Sequence, residues 1–317
     1  MGMAAALALG SVLACGTEFD NGFPTGGAGG QGGSGGDAGT GNTAGTGGST
    51  SSGGGQGGSS SSGTGGGTGG DGGSGVTCDS PYPDVVLADG PLAYWRLDET
   101  TCAGSCTVAT EVGNFTGTLT EALPGGFTVG EPGAVGSGTS VAFNTPGNGY
   151  ITFGDIFEFP NAATPFTLEV WLYIHDLNET GTVLSRIGNW HTFSCNTFEF
   201  PGYRLRYESD GRIYFSLVEC NGPTEEVRTE TVPDGTWQHI AATWDGATMR
   251  IYRNGTMEDD NTPVAVPQYA GQDWPFIANA GAQGGVWGHM GARFDEIAVY
   301  GTALSQAQID CHLQAAE

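Results

Sequence analysis

Two carboxylates stand side by side at Asp295 and Glu296 in the run FDEIAVYGTALS, Phe294 to Ser305. If RFDEIAVY alternates as a strand, Asp295 shares a face with Ile297 and Val299, and Glu296 joins Phe294, Ala298 and Tyr300. With Ile297 and Val299 turned to a core, Asp295 sits at the buried edge of a sheet, where an ionised carboxylate needs a partner. Arginine is scarce and lysine absent, nine basic residues in 317. A hard cation is therefore a candidate partner: Ca²⁺ takes roughly six to eight oxygens, many of them backbone carbonyls.

Other spacings offer less. Hydrolysis of a glycosidic bond needs an acid and a base facing one bound sugar, which E-x-D-x-E on a strand would supply. The pairs Glu208/Asp210 and Glu258/Asp260 lack the following Glu and read as turns. The five histidines, His175, His191, His239, His289 and His312, form no H-E-x-x-H or H-x-H group. GGSGG at Gly32 to Gly36 matches a nucleophile pattern literally but lies between no strand and helix. The chain is expected to be non-catalytic.

The elements that would position these groups are strands. From Tyr94 onward, period-two runs alternate with Gly, Asn-Gly and Asp-Gly turns. AYWRL sets Ala93, Trp95 and Leu97 against Tyr94 and Arg96. FTLEVWLYI sets Phe166, Leu168, Val170, Leu172 and Ile174 against Thr167, Glu169, Trp171 and Tyr173. YRLRYESDGRIYFSLV predicts a hairpin turning at Asp210-Gly211. WQHIAATWDGATMRIYRNG predicts another, with Trp244 opposite Met249, Ala242 opposite Ile251, and a further turn at Asn254-Gly255. One stretch reads as helix, LSQAQIDCHLQAA, with Ser305 as N-cap and Gln308 at the capping-box position. Short strands at turn spacing with little helix predict an all-β sandwich or barrel.

The N-terminal quarter cannot build such a core. Nearly half of the 59 glycines fall between Gly22 and Gly75, among Ser, Thr, Ala and Gln. Without apolar periodicity, no burial offsets the chain entropy. A flexible chain of that length spans about 40 Å, enough to hold a domain away from an attachment point. MAAALALGSVLACG, ahead of it, is too short to cross a bilayer and reads as an export signal. Its VLAC resembles a bacterial lipobox, which implies lipidation of Cys15. The expected organisation is a signal and lipobox over 1–15, a disordered Gly/Ser-rich tether over 16–77, and one domain over 78–317. An exported lipoprotein of the outer membrane or cell surface follows, joined to the lipid membrane by its N-terminal anchor.

Composition bears on partners. The formal net charge is −25, which repels nucleic acid, so none is expected as a ligand. Beyond Cys15, six cysteines remain, an even number consistent with disulfides in an exported chain. Six allow 15 connectivities. The most economical set is Cys102 with Cys106, Cys195 with Cys220 across a hairpin, and Cys78 with Cys311 clamping the domain's ends.

The ordered segments PLAYWRLDE, FTLEVWLY, DGTWQHIAATWDGATMRIYRNG and ARFDEIAVYGTALSQAQI together resemble the laminin-G-like, concanavalin A-like jelly-roll domains. The resemblance runs from about Val86 to Gln314. It implies two packed antiparallel sheets and a short helix after the last strand. It also implies a calcium ion, with Glu111 of TEVGN as the acid that would join Asp295 in holding it. Members of this family mostly bind glycans or proteins.

Sugar sites pair aromatic stacking surfaces with amide and carboxylate groups, and two segments carry that mixture. NWHTFSCNTFEFPGY contains Asn189, Trp190 and His191. QDWPFIANAGAQGGVWGH contains Asp273, Trp274 and Trp287. These six are the candidate ligand contacts of a monomeric binding module for glycan or cell-surface protein. The alternative is a structural or adhesive envelope protein that uses the jelly roll for protein contact.

Overall fold

The computed structural model describes residues 76–102, 106–121, 123–144, 148–159, 163–175, 179–187, 202–219, 222–263, 276–280 and 288–317. They form two antiparallel sheets. The first, sheet A, contains β1 (Ala93–Trp95), β4 (Phe127–Pro132), β5 (Thr139–Phe143), β7 (Phe166–Ile174), β12 (Trp237–Trp244), β13 (Met249–Arg253), β14 (Thr256–Asn261) and β16 (Ala292–Tyr300). Its order is β14-β13-β12-β7-β16-β5-β4, with β1 pairing the second half of β16 where β5 pairs the first. The second, sheet B, contains β2 (Cys106–Val108), β3 (Gly117–Glu121), β6 (Gly149–Gly154), β8 (Gly181–Ile187), β9 (Gly202–Tyr207), β10 (Ile213–Val218), β11 (Thr224–Arg228) and β15 (Phe276–Ala278). Its order is β11-β10-β9-β8-β15-β6-β3-β2.

The period-two pattern is what stacks them. Phe166, Leu168, Val170, Leu172 and Ile174 of β7 enter the main core beside Tyr203, Leu205, Phe215 and Leu217 of sheet B. The opposite face of sheet A is also covered. Trp171, Tyr300 and Ala298 lie with Tyr82, Val86, Leu304 and Ile309 in a second cluster beneath two helices, α1 (Tyr82–Ala88) and α2 (Gln306–Ala316). Helix α2 begins at the Ser305 capping box with Gln308. Helix α1 was not expected. Pro81, Pro83 and two adjacent valines in PYPDVVLA argue against helix by propensity, yet proline is tolerated in a first helical turn. Packing of Val85 and Val86 decides the matter.

The hairpins match their sequence registers. Trp244 pairs Met249 and Ala242 pairs Ile251. The β9–β10 turn passes through Gly211 at φ +79°, and Asn254 and Gly255 both adopt positive φ. One expectation fails: Glu258 and Asp260 lie within β14, not in a turn. There Glu258 and the neighbouring Asp259 reach across to sheet B. Glu258 accepts the backbone N–H of Glu230 at 2.8 Å and Asp259 that of Arg228 at 3.0 Å, so β14 side chains occupy outer N–H groups at the end of β11. Disulfides join Cys78 to Cys311 and Cys102 to Cys106, while Cys15, Cys195 and Cys220 lie outside the described residues.

Candidate functional site

Asn189, Trp190, His191, Asp273, Trp274 and Trp287 also lie outside the described residues. The strand ends that carry their segments do not. Ile187, last in β8, pairs Gly202, first in β9. The neighbouring β15 runs antiparallel to β8, with Ile277 opposite Ser185. Phe276, which opens β15, therefore stands at the same end of sheet B. The chain holding Asn189, Trp190 and His191 leaves from this end, and the chain holding Asp273 and Trp274 arrives there. Trp287 leads instead into Gly288, whose carbonyl accepts Thr182 N–H near the start of β8.

That end is rigidly built. Gly202 has φ +135°, and a Cβ there would overlap the Arg186 carbonyl oxygen. Only glycine allows β9 to start so close to β8. Arg186 is buried and pairs Asp155 at 2.5 Å, beside the end of β6.

From there the outer face of sheet B carries polar rows across β8 to β11. Arg204 and Arg206 alternate with the core residues Tyr203, Leu205 and Tyr207. Pairing sets Ser185, Arg204, Ser216 and Glu226 in one row, and Arg206, Tyr214 and Arg228 in the next. Arg206 bridges the rows. Its Nη2 donates to Glu226 Oε1 at 2.7 Å, its Nη1 donates to Glu208, and its guanidinium lies 5.0 Å from the centre of the Tyr214 ring. Ser216 donates to the same Glu226 oxygen at 2.8 Å, and Tyr214 donates to Asp210 at 2.7 Å. The result is a fixed array of donors and acceptors with an aromatic ring among them. Sequence reading passed over it because YRLRY and TEEVR look like ordinary solvated strand faces. Only the register brings Arg206 diagonally to Glu226.

The acidic pair departs from alternation. A β-bulge interrupts the pairing of β16 with β7 between Asp295, opposite Trp171, and Ala298, opposite Glu169. Glu296 takes φ +50°. Phe294, Ile297 and Val299 thus all reach the main core. Asp295 turns to the Trp171 face, not the face of Ile297 and Val299 as alternation would have it. Asp295 is nevertheless buried. Its Oδ2 accepts Ala134 N–H at 2.7 Å and its Oδ1 accepts Glu296 N–H at 3.1 Å. A Cβ on Gly133 would lie 2.8 Å from that Oδ2. Burial, then the charge of Glu296, pushes its carboxyl up to about 9 despite the Ala134 bond. Glu296 is pushed up to about 7 by burial, against the bonds it receives from Tyr94 and Arg96.

Glu111 is exposed and is not among the partners of Asp295. No group of three or more His, Cys, Asp or Glu among the described residues is placed to hold a metal ion. A calcium ion on Asp295 would therefore depend on backbone carbonyls beside the acids.

A third polar cluster is sealed beneath the helices. Glu169 of β7, fully buried, accepts from His239 at 2.6 Å, from His312 at 2.8 Å and from Tyr300 at 2.8 Å. His312 also meets Asp89 at 3.0 Å. With carboxylates at both ring nitrogens, His312 carries both protons. No substrate reaches a carboxylate enclosed in this way, and the cluster serves to dock α2.

The model of the concanavalin A-like lectin/glucanases superfamily, in its laminin G form, matches residues 145–310. No curated protein matches the chain. Among solved structures, the binding domain of a paraclostridial mosquitocidal protein is 14% identical with a TM-score of 0.53, covering 72% of this chain and 52% of that one. The botulinum neurotoxin serotype C1 binding domain is 12% identical with a TM-score of 0.53, covering 73% and 53%. The serotype D binding domain is 9% identical with a TM-score of 0.51, covering 72% and 52%. The chain spans about half the length of these toxin domains, and at such identities the likeness is one of fold.

Proposed function

The chain belongs to the concanavalin A-like lectin/glucanases superfamily, and on that premise we propose that it is a non-catalytic, surface-tethered module that binds carbohydrate or glycoprotein. The observation that carries this reading is the outer face of β8 to β11. It combines fixed guanidinium, carboxylate and hydroxyl groups with the Tyr214 ring. Its Arg206–Tyr214 row lies opposite Thr182, at the end of β8 that Gly288 meets after Trp287, and its Ser185–Glu226 row lies towards the Ile187–Gly202 end, from which the chain continues to Asn189, Trp190 and His191. Aromatic surface beside paired donors and acceptors is what a sugar ring requires. The structural neighbours are binding domains of toxins, which supports the same class.

Cys78, where the glycine-rich segment meets the domain, is bonded to Cys311 in α2, and α2 lies over the outer face of sheet A. A lipid on Cys15 would tether the domain through the chain that leads into Cys78. Two disulfides support passage through an oxidising compartment, and so export.

A glycan and glycoprotein array probed with the purified chain tests the proposal. Saturable binding that is lost in Trp190→Ala or Trp287→Ala supports it. Absence of any glycan binding, with co-purification of a protein partner, supports the adhesive alternative.

A further inference from the structure

Resting on that reading, we propose that Arg206, Glu226, Ser216 and Tyr214 form a subsite for a neutral, hydroxyl-rich glycan, and that an acidic glycan is not the ligand. Charge is the first constraint. Sheet B carries four arginines, Arg186, Arg204, Arg206 and Arg228, which at first suggests a receptor for anions. Their surroundings say otherwise. Arg206 is matched by both Glu226 and Glu208, and Arg186 by Asp155. Arg212, in the adjacent turn, lies near Asp210 and Glu230. At Arg206 and Arg186 an anion would have to displace a carboxylate already in place, and it would approach a chain of net charge −25.

A neutral polyol meets no such barrier. The Arg206–Glu226 contact is a donor beside an acceptor at 2.7 Å, close to the spacing of adjacent hydroxyl oxygens on a sugar ring. One hydroxyl can donate to Glu226 while its neighbour accepts from Arg206. Glu226 has capacity to spare. Both bonds it receives from Arg206 and Ser216 fall on Oε1, and Oε2 takes none among the described residues. The side chains remain accessible, at 20% exposed for Arg206 and 30% for Glu226. Ser216 and Arg206 hold the carboxylate still, and Asp210 fixes the Tyr214 ring. The acceptor is thus oriented before any ligand arrives, which limits the entropy lost on binding.

Calorimetric titration of the full chain with a neutral β-glucan, a mannan, alginate and polygalacturonate, at about 0.05 M and about 0.5 M NaCl, tests this. Neutral-polymer binding should change less than about twofold with salt and weaken at least about tenfold in Glu226→Gln. Ser216→Ala, which frees the carboxylate without removing it, should weaken binding less. Unchanged melting temperatures would show that both variants fold. Two results would overturn the subsite while leaving the binding module standing: preferential, salt-sensitive binding of alginate or polygalacturonate, or neutral-polymer binding indifferent to Glu226→Gln. Failure to bind any of the four polymers, with none bound on the array, would overturn both.

Discussion

His312 Nδ1 lies 2.8 Å from Glu169 Oε1, joining residues 143 positions apart at a site closed to solvent. Through this pair and the adjacent Cys311–Cys78 bond, the last helix is fastened to the middle of sheet A and to the point where the domain begins. The last helix therefore has one ionic and one covalent fastening.

The ionic fastening makes stability depend on pH in both directions. Burial alone would lower the His312 pKa, but Glu169 and Asp89 outweigh it and push it up to about 10. Its contribution is complete below its ordinary value and is lost as pH rises towards 10. Burial alone would raise Glu169, but the charge of His312 and the bonds from both histidines hold it well below the carboxylate range. Its contribution is present above its ordinary value near 4.5 and is lost as pH falls. This pair alone gives a melting temperature that falls on both sides of a maximum between about 4.5 and 6.5, and Asp295 and Glu296, pushed up to about 9 and 7, add to the loss as pH rises. His312→Gln should cost about 3–5 kcal/mol and flatten the alkaline arm. An alkaline arm unchanged in that variant would contradict the assignment.

The covalent fastening closes a span of 233 residues. Cys311→Ala should cost about 2–5 kcal/mol, lowering the melting temperature by about 5–15 °C while strand content by circular dichroism stays intact. A shift of under about 2 °C would show that the bond contributes nothing beyond the His312 contact.

Gly202 tests how closely β9 must start against β8. With φ +135° and the Arg186 carbonyl oxygen in the space a methyl group would take, Gly202→Ala should cost at least about 2 kcal/mol in denaturant unfolding. Gly136, at φ +56° with no atom within 4 Å, should lose about 1 kcal/mol as Gly136→Ala. Equal costs would show that close approach to β8 is not what selects glycine at 202.

With no group of three acidic, histidine or cysteine side chains around Asp295 among the described residues, calcium or a chelator should move the melting temperature of the domain by less than about 2 °C. Stabilisation of more than about 5 °C by calcium, abolished in Asp295→Asn, would restore the cation reading.

Much of the fold was legible because its signals are local. Trp244 opposite Met249, the Asn254-Gly255 turn and the Ser305 cap each depend on residues close in sequence. What stayed hidden depends on distant partners. Helix α1 forms against its own proline content because Val86 and Tyr82 bury against Trp171 and Tyr300. The bulge at Asp295 breaks a two-residue period, and only the pairing with β7 shows it. Arg206 and Glu226 meet because two hairpins lie side by side, a relation that neither strand announces. The residue types of a sugar site could be read from composition, but not which of them share a face.

The central claim is binding without turnover. Titration of the full chain into a soluble neutral polysaccharide, followed by assay of new reducing ends in the same sample, tests it most directly. The account predicts saturable binding and a polymer of unchanged length. Release of reducing ends in proportion to protein and time would contradict it.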